Sequence, residues 1–140
     1  MLKGAPTILS PDLLKILFEM GRSDELVIGD GNFPSASHAQ KWIRCAGHST
    51  LALLDAILQL LPLGKCVWAF AALMEVVPGD PTNPVIWEEY CNIIQRYEPD
   101  TQMEWMERSA FYERAKRAYA VIATSEKALY ANLIFKKGVL

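Results

Sequence analysis

The chain has 140 residues, with 14 Lys+Arg against 16 Asp+Glu and a net charge of -2 at pH 7. That is enough for one compact domain burying roughly 68% of its unfolded surface, and it leaves no basic surplus to neutralise a phosphate backbone. A hydrophobic content of 51% excludes a disordered chain, while the longest apolar run, Val67 to Met74, is far short of the roughly 20 residues that cross a bilayer. Neither a nucleic-acid nor a membrane partner is expected, and MLKGAPTILS lacks the apolar core of a secretion signal. The expectation is a cytoplasmic, soluble single domain over residues 1–140.

Ser10-Pro11-Asp12 opens a helix, with a hydroxyl at the N-cap, proline where no amide is needed and an acid in the first turn. Leu13, Ile16, Leu17 and Met20 share one face, and Gly21 marks the stop. Glu25 to Asp30 reads as a strand that delivers Asp30 to the carboxyl edge of a sheet, and the turn formers from Gly31 to His38 read as an ordered loop. After a short strand at Trp42 to Cys45, Ser49 caps a second helix that runs through Leu61 and is ended by Pro62. The nearly continuous apolar run from Val67 to Val77 reads as a strand buried on both faces. Pro78 to Pro84 is a surface loop leading to a helix from about Val85 to Tyr97. Met103 to Glu107, Val121 to Thr124 and Ala131 to Lys136 read as strands, and Phe111 to Tyr119 as a helix. This alternation predicts an α/β fold, a sandwich with helices on both faces of one sheet.

Three cysteines without a C-x-x-C pair suggest neither a disulfide framework nor a zinc knuckle, and His38 and His48 stand in no metal-ligand spacing. No dinucleotide, P-loop or esterase-elbow motif occurs. Chemistry here is expected to need no metal and no cofactor. Ligands of α/β sheets gather at the carboxyl ends of strands, which makes Asp30 the best-placed acid in the chain.

Three segments carry a resemblance over the whole chain. They are Leu2-Lys3-Gly4 with Ile8-Leu9-Ser10-Pro11-Asp12-Leu13-Leu14; Glu19-Met20-Gly21-Arg22-Ser23-Asp24-Glu25 running into Asp30-Gly31-Asn32-Phe33-Pro34; and Phe111-Tyr112-Glu113-Arg114-Ala115 followed by Tyr130-Ala131-Asn132 and Lys136-Lys137-Gly138-Val139. In order and spacing they resemble the fucose mutarotase branch of the family that also contains ribose pyranase. The resemblance implies a three-layer α/β/α sandwich and exchange of the α and β anomers of L-fucose, or of a related monosaccharide, without cofactor. It also implies a ring-like homo-oligomer whose sites are completed across subunit contacts. It places Asp30, Arg108, Tyr130 and Asn132 as sugar contacts, with Tyr112 as a further candidate. Each has a plainer reading: Asp30 capping a turn, Arg108 a solvated cation, Tyr130 core packing and Tyr112 interface packing.

The family pattern Met-Gly-His-Gly-Asp-Glu carries a histidine as its general acid and base, and this chain has Arg22 at that position. A guanidinium stays protonated far above neutrality and cannot accept and return a proton. Arg22 is left to orient a sugar hydroxyl or to stabilise negative charge on the anomeric oxygen, or else to complement the end of the preceding helix. His38, eight positions after Asp30, is the residue of the right type to supply an imidazole instead. An alternative in a different class is a non-catalytic sugar-binding or structural homologue with the same pocket. Four tryptophans and the apolar runs exceed what one core requires, which anticipates burial between subunits.

Overall fold

The computed structural model describes residues 1–64 and 70–140. Helix α1 spans Pro11–Glu19, with the Leu13 amide donating to Ser10 Oγ at 3.2 Å and Leu13, Ile16 and Leu17 buried. It closes before Gly21: Met20 is already extended, and the Gly21 amide donates to the Asp24 carboxylate at 2.7 Å, so a side chain turns the backbone into the next strand. There follow β1 (Glu25–Gly29), β2 (Trp42–Arg44), α2 (Thr50–Leu58), β3 (Ala71–Met74), α3 (Ile86–Tyr97), β4 (Met103–Met106), α4 (Arg108–Arg117), β5 (Ala120–Ala123) and β6 (Leu133–Lys136).

The six strands form one sheet in the order β2-β5-β1-β6-β3-β4. The pairs β1–β5, β2–β5 and β3–β4 are parallel, whereas β6 runs antiparallel to both β1 and β3. Alternate side chains of each central strand face opposite layers. Leu26, Ile28, Leu73, Ile122 and Phe135 pack under α1, α2 and α3, while Val27, Ala72, Val121 and Ile134 pack under Phe111 and Ala115 of α4. The result is the three-layer α/β/α sandwich, with three helices on one side and one on the other. Arg114 holds α4 down by pairing with Glu25 of β1 and, at 2.6 Å, with Glu104 of β4.

Several expected boundaries shift, among them the end of α2, at Leu58 rather than Leu61, and the start of β6, at Leu133 rather than Ala131. Of the run from Val67 to Val77, the strand occupies 71–74, and residues 67–69 of that run lie outside the described residues. Helix α4 begins at Arg108 rather than Phe111, because Glu107 is the extended residue at its start and its carbonyl already accepts from the Phe111 amide at 2.9 Å. Arg108 therefore sits in the first turn of a helix directly behind β4. Among the described residues no helix is long and apolar enough to cross a membrane.

This topology has one consequence for chemistry. Carboxyl ends of the parallel strands and the start of β6 meet on the same edge of the sheet, so residues just after β1 and just before β6 become neighbours across 102 positions of sequence.

Candidate functional site

Asp30 follows β1 at that edge and is only 6% exposed. Three hydrogen bonds fix it and the turn that follows. The Asp30 amide donates to Asn132 Oδ1 at 2.7 Å, the Asn32 amide donates to Asp30 Oδ1 at 3.0 Å, and the Gly31 amide donates to the Glu126 carbonyl at 2.9 Å. Gly29 is needed just before it, since a Cβ there would stand 2.7 Å from Cβ of Phe33, which folds back over the strand end. Thr124 at the end of β5 donates its hydroxyl to the Gly29 carbonyl at 2.7 Å. Burial raises the Asp30 pKa above the usual carboxylate value, opposed in part by donors from the Asn32, Ala131 and Phe33 amides and from Asn132. The carboxyl lies at a cavity of about 320 Å³ bordered by Ser35, Trp42, Arg44 and Thr124. A buried acid with increased proton affinity can both accept a hydroxyl and take part in proton transfer nearer neutrality than a surface carboxylate.

Tyr130 and Asn132 reach the same edge on the segment entering β6. Tyr130 has φ 58, the left-handed region that a side chain rarely adopts. Helix α3 holds it there: Trp87 Nε1 donates to the Tyr130 carbonyl at 2.8 Å, and the Tyr90 hydroxyl donates to the Ala131 carbonyl at 2.9 Å. Tyr90 is fully buried, and burial pushes its phenol above the ordinary range. Tyr90→Phe would leave the buried Ala131 carbonyl without that donor, and a loss of about 1–3 kcal/mol is expected. Urea unfolding at matched slope measures it.

The Tyr130 hydroxyl donates to Asp80 Oδ2 at 2.6 Å and accepts from the Val77 amide at 3.4 Å. Asp80 raises the Tyr130 pKa, while the positive charge of Arg108 works the other way. Asp30, Asn132, Tyr130 and Arg108 thus gather along one edge of the sheet. Asp80, Trp87 and Tyr90 join them without having been singled out in the sequence. Asp80 sits in Pro78-Gly79-Asp80-Pro81, where turn propensity hides a side-chain role, and the two aromatics read as the core face of an amphipathic helix.

Arg22 is not brought to that edge. It precedes β1, whose five residues separate it from Asp30 by roughly 16 Å along the strand. There it borders an apolar groove of about 490 Å³ with Leu14, Leu17, Phe18, Leu60 and Leu140. His38 packs at 5.2 Å against the ring of Tyr112, which also meets Phe33 edge-on at 5.5 Å, and its Nδ1 lies 2.8 Å from Ser37 Oγ. His38 and Tyr112 therefore lie on the α4 side of the loop, where Tyr112 packs on the same apolar cluster as Tyr130. His48 is exposed. Among the described residues no group of three His, Cys, Asp or Glu side chains is placed to hold a metal ion.

Against known proteins, the family model described as the RbsD / FucU transport protein family matches residues 3–140. The fucose mutarotase of Homo sapiens is 48% identical over 145 residues, which covers 99% of this chain and 94% of that protein. The L-fucose mutarotase of Actinobacillus pleuropneumoniae is 46% identical over 140 residues, covering 99% and 97%. The crystal structure of the fucose mutarotase from Streptococcus pneumoniae in complex with L-fucose superposes with a TM-score of 0.94 at 49% identity and covers 99% of both chains. Bacillus subtilis RbsD complexed with D-ribose shares the fold at a TM-score of 0.74 and 22% identity.

Proposed function

Since the chain belongs to the RbsD / FucU transport protein family, we propose that it is a cofactor-free isomerase interconverting the α and β anomers of L-fucose in the cytoplasm, as one domain over residues 1–140. The observation that carries this reading is the buried Asp30, whose amide is held by Asn132 at the sheet edge that Tyr130 also reaches. Mutarotation removes the proton of the anomeric hydroxyl, forms the C1 carbonyl and breaks the bond from C1 to the ring oxygen, which takes up a proton. Rotation about the C1–C2 bond and reclosure on the other face of the carbonyl complete the exchange. Asp30 suits the acceptor position at the sugar, and Arg108 and the Asn132 amide supply donors.

Arg22 sets the rate rather than the fold in this reading. It cannot carry a proton at neutral pH, so its contribution is limited to orienting a hydroxyl or to opposing negative charge on the opening ring. Self-association supplies the geometry: a second copy seated on the groove beside Arg22 would bring that guanidinium to the neighbour's Asp30 edge. The groove suits burial between copies because its rim carries Phe18, 83% exposed, with Leu60 and Leu140. Phe18→Asp is expected to convert an oligomer to a monomer in light scattering after size exclusion. It should also reduce anomer exchange by about tenfold or more if sites are shared.

The direct test is magnetisation-transfer NMR of L-fucose with and without the protein. Acceleration above buffer carries the proposal, and its absence removes it. A second reading, a sugar-binding homologue without catalysis, is favoured by Arg22 alone. It predicts L-fucose binding in calorimetry with no change in exchange.

A further inference from the structure

We propose that Asp80 is a positioning residue that commits the single hydroxyl proton of Tyr130, so that Tyr130 meets the sugar only as a hydrogen-bond acceptor. The proposal rests on the sugar-handling role of this edge argued above and specifies its polarity.

The geometry leaves the phenol little choice. Asp80 Oδ1 is occupied by Thr82, whose amide and hydroxyl both donate to it at 2.9 and 2.6 Å. This turn locks the carboxylate plane and turns Oδ2 toward Tyr130, which donates to it at 2.6 Å. Thr82 and Tyr130 hold the Asp80 pKa below its ordinary value, so the carboxylate is an acceptor across the neutral range and has no proton to return. On the other side, the Val77 amide approaches the same phenolic oxygen as a donor at 3.4 Å. The backbone of Tyr130 is fixed as well, because its left-handed conformation is clamped by Trp87. Swinging the hydroxyl proton toward a ligand would therefore cost a charge-assisted bond, the stronger kind.

A polarity map of the edge follows. Asp30 and Tyr130 accept. Asn132 has spent its oxygen on the Asp30 amide and turns its NH2 to the Asp30 carboxyl, and Arg108 can only donate. A sugar hydroxyl facing Tyr130 must point its proton at the phenolic oxygen of the tyrosine, and a substituent that can only accept is rejected there. Rejection of this kind is strong wherever a site is built around a hydroxyl.

The test compares L-fucose with its 2-, 3- and 4-deoxyfluoro analogues, in which fluorine keeps the size of a hydroxyl but has no proton to give. Calorimetric titration of the wild-type protein is expected to show one analogue weaker than L-fucose by about tenfold or more. In Asp80→Ala the freed phenol can donate, and that one penalty should shrink to about twofold. If Asp80 serves only to brace its loop, all four sugars will weaken by the same factor, and the proposal fails. A ligand-free measurement separates this from the function itself. In protein labelled at tyrosine Cζ, with the resonance assigned through Tyr130→Phe, the Tyr130 signal should titrate at lower pH in Asp80→Asn than in wild type. An unchanged titration overturns the pairing while leaving fucose exchange by the wild type intact. Wild-type protein that binds none of the sugars defeats the function and this proposal together.

Discussion

Asp30→Asn is expected to lower L-fucose anomer exchange by about 100-fold or more, the usual worth of a placed acid or base, and at the same time to raise the melting temperature at pH 7. The two effects have one cause. The Asp30 pKa is raised in the folded protein, chiefly by burial, from an ordinary value of 3.8. The native state therefore holds this proton more tightly than the unfolded chain. The stability that the protonated group contributes is fully present below 3.8 and is lost as pH rises through the folded pKa. Above the folded pKa the site carries that loss. Asparagine cannot ionise, and its side-chain oxygen can still accept from the Asn32 amide, so the variant escapes it. Calorimetry at pH 7 should show the variant melting above wild type, and the difference should close as pH is lowered to about 3. A variant that melts lower at pH 7 would mean that the hydrogen bonds to the carboxylate outweigh its burial.

Arg22→His should raise exchange by about 100-fold, since it installs a group that titrates near neutrality where a permanent cation stands. The position of Arg22 makes the prediction sharper. It lies on the opposite edge of the sheet from Asp30, in the groove flanked by Phe18 and Leu140. A histidine there can assist ring opening only at an edge supplied by another copy. The gain should therefore disappear when Arg22→His is combined with Phe18→Asp, although the double variant remains folded by circular dichroism. A gain that survives in the monomer would place the new imidazole in reach of its own Asp30 and refute the shared site. No gain in the assembled protein would remove Arg22 from the reaction altogether.

Much of the frame was legible in the chain. Ser10-Pro11-Asp12 marks a helix start by local chemistry alone, and the near-continuous apolar character of the central strands follows from burial on both faces. Asp30 at the end of a strand needed only the rule that polar groups collect at carboxyl edges. What escaped was set by contacts far apart in sequence. Asp80 looked like one more turn former because its partner Tyr130 is 50 positions away. Trp87 and Tyr90 are ordinary core-facing aromatics until the carbonyls of Tyr130 and Ala131 arrive beside them. The start of α4 carries no local signal, because Arg108, Ser109 and Ala110 show no apolar period, and helix there depends on the backbone bond from Phe111 to Glu107. Arg22 illustrates the limit of resemblance: it and Asp30 share a family motif, yet β1 carries them apart.

The placement of β6 sets the order in which the protein can become itself. It is the last strand in chain order and stands in the middle of the sheet, pairing with β1 through Leu26 and Phe135 and with β3 through Leu73 and Leu133. Until it inserts, β2-β5-β1 and β3-β4 are two separate half-sheets with unpaired inner borders. Closing them demands contacts between the two ends of the chain, the slow kind in any folding reaction. Amide protection should therefore rise in both half-sheets together, at the moment β6 docks, and a chain still emerging from synthesis would hold neither a whole core nor the pairing of Asp30 with Asn132.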